Sequence, residues 1–219
     1  MNTFQLALVI LAAAALWGGM FYWRRRLQQK RRETLDRIAG EMRWSFAPDA
    51  DDTLRTTMGN FRLCARGRAK RFTNLMRGSG DNSGTALFDY AYTIGGGKER
   101  HTVRQTVLSL NVGGRPLPHF CLRPEHVWDK VEAFFGHKDI SFDAHPEFSK
   151  AYSLRGDDEY QIRNFFNDAL IAFIEQEPGL TLEGAGSTLL IYRHRKLVKP
   201  ENIRGFIDMG NRLLALVRG

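Results

Sequence analysis

From Phe4 to Trp23 the chain carries one polar side chain, Gln5, and no charge, and then Arg24, Arg25, Arg26, Lys30, Arg31 and Arg32 follow within nine positions. No other stretch limits the fold so strongly. A helix of about twenty apolar residues rises about 30 Å, the thickness of a bilayer's hydrocarbon core. Trp17, Phe21, Tyr22 and Trp23 crowd towards the charged end, where amphipathic rings favour the headgroup region, and a basic flank marks the cytoplasmic side. The segment predicts an uncleaved, single-pass transmembrane helix in the plasma (inner) membrane, with the amino terminus outside and the chain beyond the collar in the cytoplasm. A cleaved signal peptide reads differently, because its charges precede an apolar core of about 7 to 15 residues.

The collar also changes how the overall charge is read. The whole chain is formally +8, which invites a nucleic-acid reading. Residues 1–32 supply six of the basic side chains and no acid, so the remainder nets only +2. Attraction of the collar to anionic lipid, about 1 kcal/mol per Lys or Arg near the surface, accounts for these charges without nucleic acid. Beyond the collar, residues 33–123 carry 14 basic against 9 acidic side chains, and residues 124–219 carry 12 against 15. The two cysteines, Cys64 and Cys121, lie far apart, as expected in a reducing compartment.

Leu27, Leu35, Ile38 and Met42 fall on one side of a helix continuing from the anchor as a stalk. Trp44 and Phe46 then suggest a short extended piece, and Pro48 with Asp49, Asp51 and Asp52 a loop. Phe61, Leu63 and Ala65 alternate with Arg62, Cys64 and Arg66, as Ala86, Phe88, Tyr90 and Tyr92 alternate with Asp89 and Thr93. Period-two alternation predicts strands, continuing through Val103–Val112 and His119–Leu122, with hairpin loops at Gly78–Gly84 and Gly95–Arg100. Pro124 opens an expected helix that Gly136 stops. A strand is expected over Phe148–Leu154, and a helical stripe runs from Ile162 to Ile174, with Asn167 placed to cap a second helix. A hairpin over Leu180–Glu183 and Thr188–Tyr192 and a helix after Pro200 complete the chain. The expectation is an α+β fold: an N-terminal transmembrane helix, then an antiparallel β-meander with covering helices, arranged in two lobes or packed as one domain. Its divisions are 1–32 (anchor and collar), 33–59 (stalk and linker), 60–137 (meander and helix) and 138–219 (α+β lobe).

Candidate chemistry is sparse. Gly95, Gly96, Gly97 and Lys98 resemble part of a phosphate cradle, but Glu99 stands where Ser or Thr is required and a strand follows, so they read as a hairpin tip. Five of the six histidines, His101, His119, His126, His137 and His145, fall within 45 residues, with Cys121 among them. His119, Cys121 and His126 could supply three metal ligands, yet their spacing matches no zinc motif, and Arg123 would oppose a cation. Cys64, between Arg62 and Arg66, could hold a stabilised thiolate if it sits on a polar strand face. Arg66, Arg68, Lys70 and Arg71 beside Phe72 form a basic patch outside the collar, read as a solvated edge protected by its charges, with anionic lipid as the next candidate.

The strand Phe88, Asp89, Tyr90, Tyr92, the strand Gln105, Thr106, Val107, and Phe148–Leu154 running into Asp157 resemble uncharacterised bacterial single-pass membrane proteins with an N-terminal anchor and a cytoplasmic domain. The resemblance supplies no catalytic residue. The function expected is that of a membrane-tethered binding or scaffold protein without a cofactor. Its expected partners are the bilayer, whose anionic headgroups meet Arg24, Arg25, Arg26, Lys30, Arg31 and Arg32, and a protein at the membrane, with no nucleic acid. The alternative is a membrane-associated hydrolase or metal-binding enzyme using the His119, Cys121 and His126 region.

Overall fold

The computed structural model describes residues 3–114, 116–125 and 139–218, with the backbone alone at 3, 4, 6–10, 14 and 98. Its first element, α1 (Thr3–Glu41), is one helix of 39 residues, roughly 58 Å long at 1.5 Å per residue. Its first half stands clear of the domain, with Leu16, Trp17, Phe21, Tyr22 and Trp23 each more than 60% exposed. Its last three turns are docked, and Leu35, Ile38 and Ala39 are buried. Arg43 closes the helix at φ 58°, and the Trp44 N–H returns to the Ala39 carbonyl at 2.8 Å, satisfying a carbonyl the helix end would leave open.

After α1 come β1 (Ser45–Asp49), α2 (Asp52–Met58), α3 (Arg62–Ala65), β2 (Arg68–Arg77), β3 (Thr85–Ile94), β4 (His101–Asn111) and β5 (Leu117–Pro124). The second part adds α4 (Pro146–Ala151), β6 (Tyr152–Gly156), α5 (Glu159–Phe165), α6 (Asp168–Gln176), β7 (Leu180–Gly186), β8 (Thr188–Arg193) and α7 (Ile203–Arg218). All eight strands join one antiparallel sheet in the order β1-β2-β3-β4-β8-β7-β5-β6. The β4–β8 pairing, Val107 opposite Tyr192 and Leu110 opposite Leu189, joins strands from the two parts of the chain.

Alternation along each strand gives the sheet two buried faces. Met76, Leu87, Leu108, Leu110, Leu182 and Ile191 lie in one cluster with Leu35 and Ile38 of α1, Leu170 of α6 and Phe206 of α7. Phe72, Phe88, Tyr90, Tyr92, Val107 and Tyr192 lie in the other, with Leu54 and Met58 of α2 and Phe61 and Leu63 beside α3. Each fully buried side chain of this kind contributes about 1.5–3 kcal/mol. Gly210 lets α7 lie close to the sheet, since a Cβ there would stand 2.2 Å from Leu108 Cδ2.

Several expectations need correction. The alternation at Phe61–Arg66 is not a strand: Arg62–Ala65 is a single helical turn with Leu63 and Cys64 buried. Phe148–Leu154 is divided between α4 and β6, because Pro146 starts a helical turn before the chain can extend. Asn167 does cap α6, its side chain accepting the Leu170 N–H at 2.9 Å. The helix expected between Pro124 and Gly136 falls mostly outside the described residues. Among the described residues no helix is long and apolar enough to cross a membrane. The spanning segment expected at Phe4–Trp23 lies in the first half of α1 and is not borne out there, so the span remains a reading of the sequence.

Candidate functional site

The junction between α1 and the sheet holds a polar cluster that links distant parts of the chain. Leu35 and Ile38 turn one side of α1 to the core, and Arg31, one turn earlier, shares that side. Its guanidinium therefore enters the protein. Arg31 Nε and Nη2 donate to Asp89 Oδ2 and Oδ1 at 2.7 and 2.8 Å, and Nη1 donates to the Val198 carbonyl at 2.8 Å. The two side chains are only 16% and 9% exposed. Asn74 Nδ2 and Thr106 Oγ1 each donate to Asp89 at 2.8 Å. Thr106 Oγ1 in turn accepts the Val198 N–H at 3.0 Å. Asn74 reaches the carboxylate from a left-handed conformation, φ 54°, at an irregularity in the β2–β3 pairing.

Arg31 thus differs from the rest of the collar. Arg24, Arg25, Arg26, Lys30 and Arg32 are exposed, and the Arg25 guanidinium lies 4.9 Å from the Phe21 ring centroid. Arg31 spends its charge on Asp89 inside the protein, so the headgroup role expected of it does not fit its position.

The histidine and cysteine candidates are drawn to different partners. His119, with its side chain 42% exposed, pairs through Nδ1 with Asp157 Oδ2 at 2.7 Å. Cys121 is buried, accepts a hydrogen bond from Arg123 Nε at 3.1 Å, and burial pushes its thiol up to about 12. His126 and His137 lie outside the described residues. His145 pairs with Asp168 at 3.1 Å, and His101 lies 3.5 Å from Arg195 Nη2. No group of three or more His, Cys, Asp or Glu side chains is placed to hold a metal among the described residues. Cys64 is not on a polar face. It is buried against Tyr90, and desolvation pushes its thiol to about 12, the opposite of an activated thiolate.

A second polar cluster had no counterpart in the sequence reading. Glu183 on β7 is 1% exposed. Its carboxylate accepts the Leu63 N–H at 3.1 Å and the Tyr192 hydroxyl at 2.6 Å, with Arg123 Nη2 at 3.9 Å. It fixes α3 over the aromatic face of the sheet and so has a structural role.

No family model matches the chain, and no curated protein matches it. Among solved structures, the fold is similar to the crystal structure of the mycobacterial trehalose monomycolate transport factor A. The likeness covers 87% of this chain and 92% of that one, with a TM-score of 0.57 and 12% identity. It is a likeness of fold, and it extends over nearly the whole α+β architecture.

Proposed function

We propose that this chain is a membrane-tethered accessory protein: α1 crosses the inner membrane once, and the α+β domain is held on the cytoplasmic side as a binding or scaffold module for a membrane protein. The observation that carries the reading is where apolar surface is left in water. Of the ten large hydrophobic side chains exposed among the described residues, eight lie on α1 between Leu11 and Leu27. They surround the helix instead of forming one stripe, and a helix apolar all round requires an apolar environment on every side. Leu6, Ala7, Leu8, Val9, Ile10 and Ala14 extend the same run in sequence.

The exposed collar residues Arg24, Arg25, Arg26, Lys30 and Arg32 would then meet anionic headgroups. The fold shared with a transport factor supports an accessory role over a catalytic one, and a protein partner in the same membrane is the natural ligand of such a module. Flotation of the full chain with phospholipid vesicles, followed by protease treatment of intact spheroplasts, tests the reading. The expected result is flotation resistant to high salt and a domain that protease leaves uncut until the membrane is opened. Release by salt, or digestion of the domain in intact spheroplasts, would refute it.

A further inference from the structure

We infer that the β3–β4 end of the sheet is a second membrane contact, a basic surface that lies flat on the anionic headgroups of the bilayer crossed by α1. The inference rests on the tether proposed above and adds how the domain is oriented.

The direction of α1 relative to the strands sets which end of the sheet faces the bilayer. Arg31 lies against Asp89, whereas the Arg43 carbonyl, at the other end of the docked segment, accepts from Ser79 Oγ just beyond β2. Asp89 is opposite Thr73, and Arg77 is opposite Ala86. From Arg31 to Arg43, α1 therefore advances towards the Arg77–Thr85 end of the strands. Followed back towards Trp23, it runs towards the opposite end, where Thr93 pairs with Arg68 and Ile94 with His101. Trp23 lies about 12 Å before Arg31 along the helix, and Ile94 lies about 17 Å beyond Asp89 along its strand. The tip of the β3–β4 hairpin consequently reaches the level of Trp23, where the headgroups would be.

The chemistry of that end suits an anionic surface. Its three segments, 66–71, 95–104 and 194–199, contain ten Lys or Arg and one acid, Glu99. Arg68, Lys70, Arg100, Arg195, Lys196 and Lys199 are all exposed. Contacts tie the segments together: Arg68 Nη2 donates to the Gly95 carbonyl at 2.9 Å, and the Arg195 N–H donates to Gln105 Oε1 at 3.2 Å. Glu177, beside the end of β8, is occupied by Arg193 and Arg212. The 194–199 segment lies further back, level with Arg31, because the Thr106 N–H donates to the Lys196 carbonyl at 3.1 Å and Arg31 Nη1 to the Val198 carbonyl at 2.8 Å; its charges stand behind the tip, with Arg195 Nη2 3.5 Å from His101. The loops at the far end of the same strands, 78–84 and 112–116, hold one acid and one base, so the charge is concentrated where the geometry places the bilayer.

The test uses the full chain in vesicles, with an environment-sensitive fluorophore on Gly96→Cys, at the hairpin tip where a Cβ meets nothing within 4 Å, and, separately, on Ser83→Cys at the far end. Cys64 and Cys121 are buried, so labelling is confined to the introduced thiol. In vesicles of phosphatidylcholine with about one third phosphatidylglycerol, a headgroup quencher should quench the label at 96 and leave that at 83 unaffected. Each Lys or Arg brought to such a surface favours contact about fivefold. The triple variant Arg68→Gln, Lys70→Gln, Arg100→Gln should therefore lower the contact equilibrium about a hundredfold and restore the fluorescence, as should about 0.5 M salt.

Quenching that ignores vesicle charge, salt and the triple variant would overturn the inference. So would a label at 96 that stays unquenched in vesicles the chain has entered, the outcome expected if the basic end serves an acidic protein. Failure of the chain to float would instead remove the tether reading, and this inference with it.

Discussion

Replacing Asp89 by Ala removes the acceptor on which the α1 junction is built. Asp89 receives four hydrogen bonds, two from Arg31 and one each from Asn74 and Thr106. The variant leaves the Arg31 guanidinium in a low-dielectric position without its counter-ion. Breaking a buried ion pair from one side costs about 3–5 kcal/mol. In a domain of this size each kcal/mol lowers the melting temperature by about 2–4 °C, which gives a loss of roughly 6–20 °C. Thermal unfolding of the full chain in detergent micelles, followed by near-ultraviolet circular dichroism, measures it. Amide exchange should show the largest local loss of protection in residues 32–42, because Arg31 joins that turn of α1 to the sheet. Arg31→Ala and Asp89→Ala should each be costly and the double variant little worse than either, since both remove the same interaction. Additive single effects, or a cost for Asp89→Ala below about 1 kcal/mol, would refute the claim that this pair holds the helix to the domain.

Cys64 and Cys121 should resist a thiol-specific disulfide reagent at pH 8 until the protein is unfolded; labelling of the native protein within minutes would contradict their burial. Their folded values near 12 exceed the ordinary 9.0, so the stability they contribute is full below about pH 9 and is lost as pH rises towards 12. A melting temperature that falls through that range, and less steeply once both thiols are replaced, is the expected profile. Gly156→Ala should destabilise the protein by about 1–3 kcal/mol, because its Cβ would stand 2.2 Å from the His119 carbonyl oxygen and 2.5 Å from Ile162 Cδ1. Gly18→Ala, with nothing within 4 Å, is the matching control, and equal melting temperatures for the two variants would refute the packing argument.

The strands from Ala86 to Val112 and the final hairpin were legible because period-two alternation there coincides with burial on both faces of the sheet. Phe61–Arg66 misled because so short an alternation fits a helical turn equally well, and what decides between them is distant: Glu183, 120 residues on, accepts the Leu63 N–H. The β4–β8 pairing was hidden for the same reason, since nothing near Val107 names Tyr192 as its neighbour. The Arg31 junction did leave a trace. Leu27, Arg31, Leu35, Ile38 and Met42 recur at helical spacing, so Arg31 falls inside an apolar stripe that Arg24, Arg25 and Arg26 precede. A cation in such a stripe calls for a buried carboxylate, but the sequence alone does not single out Asp89.

The unbroken course of α1 has a mechanical consequence. Between Gly19 and Gly40 the helix contains neither glycine nor proline, and from Arg31 onward it is clamped to the sheet, so its two halves turn together. For the tether proposed above, the domain is a rigid lever with no swivel at the membrane surface. A tilt of about 20°, common for single helices in bilayers, would carry a point one domain radius away, about 16 Å, through about 5 Å. A neighbour in the same bilayer would meet the domain at one fixed azimuth, and any torque it exerts on the helix would arrive undamped at Asp89.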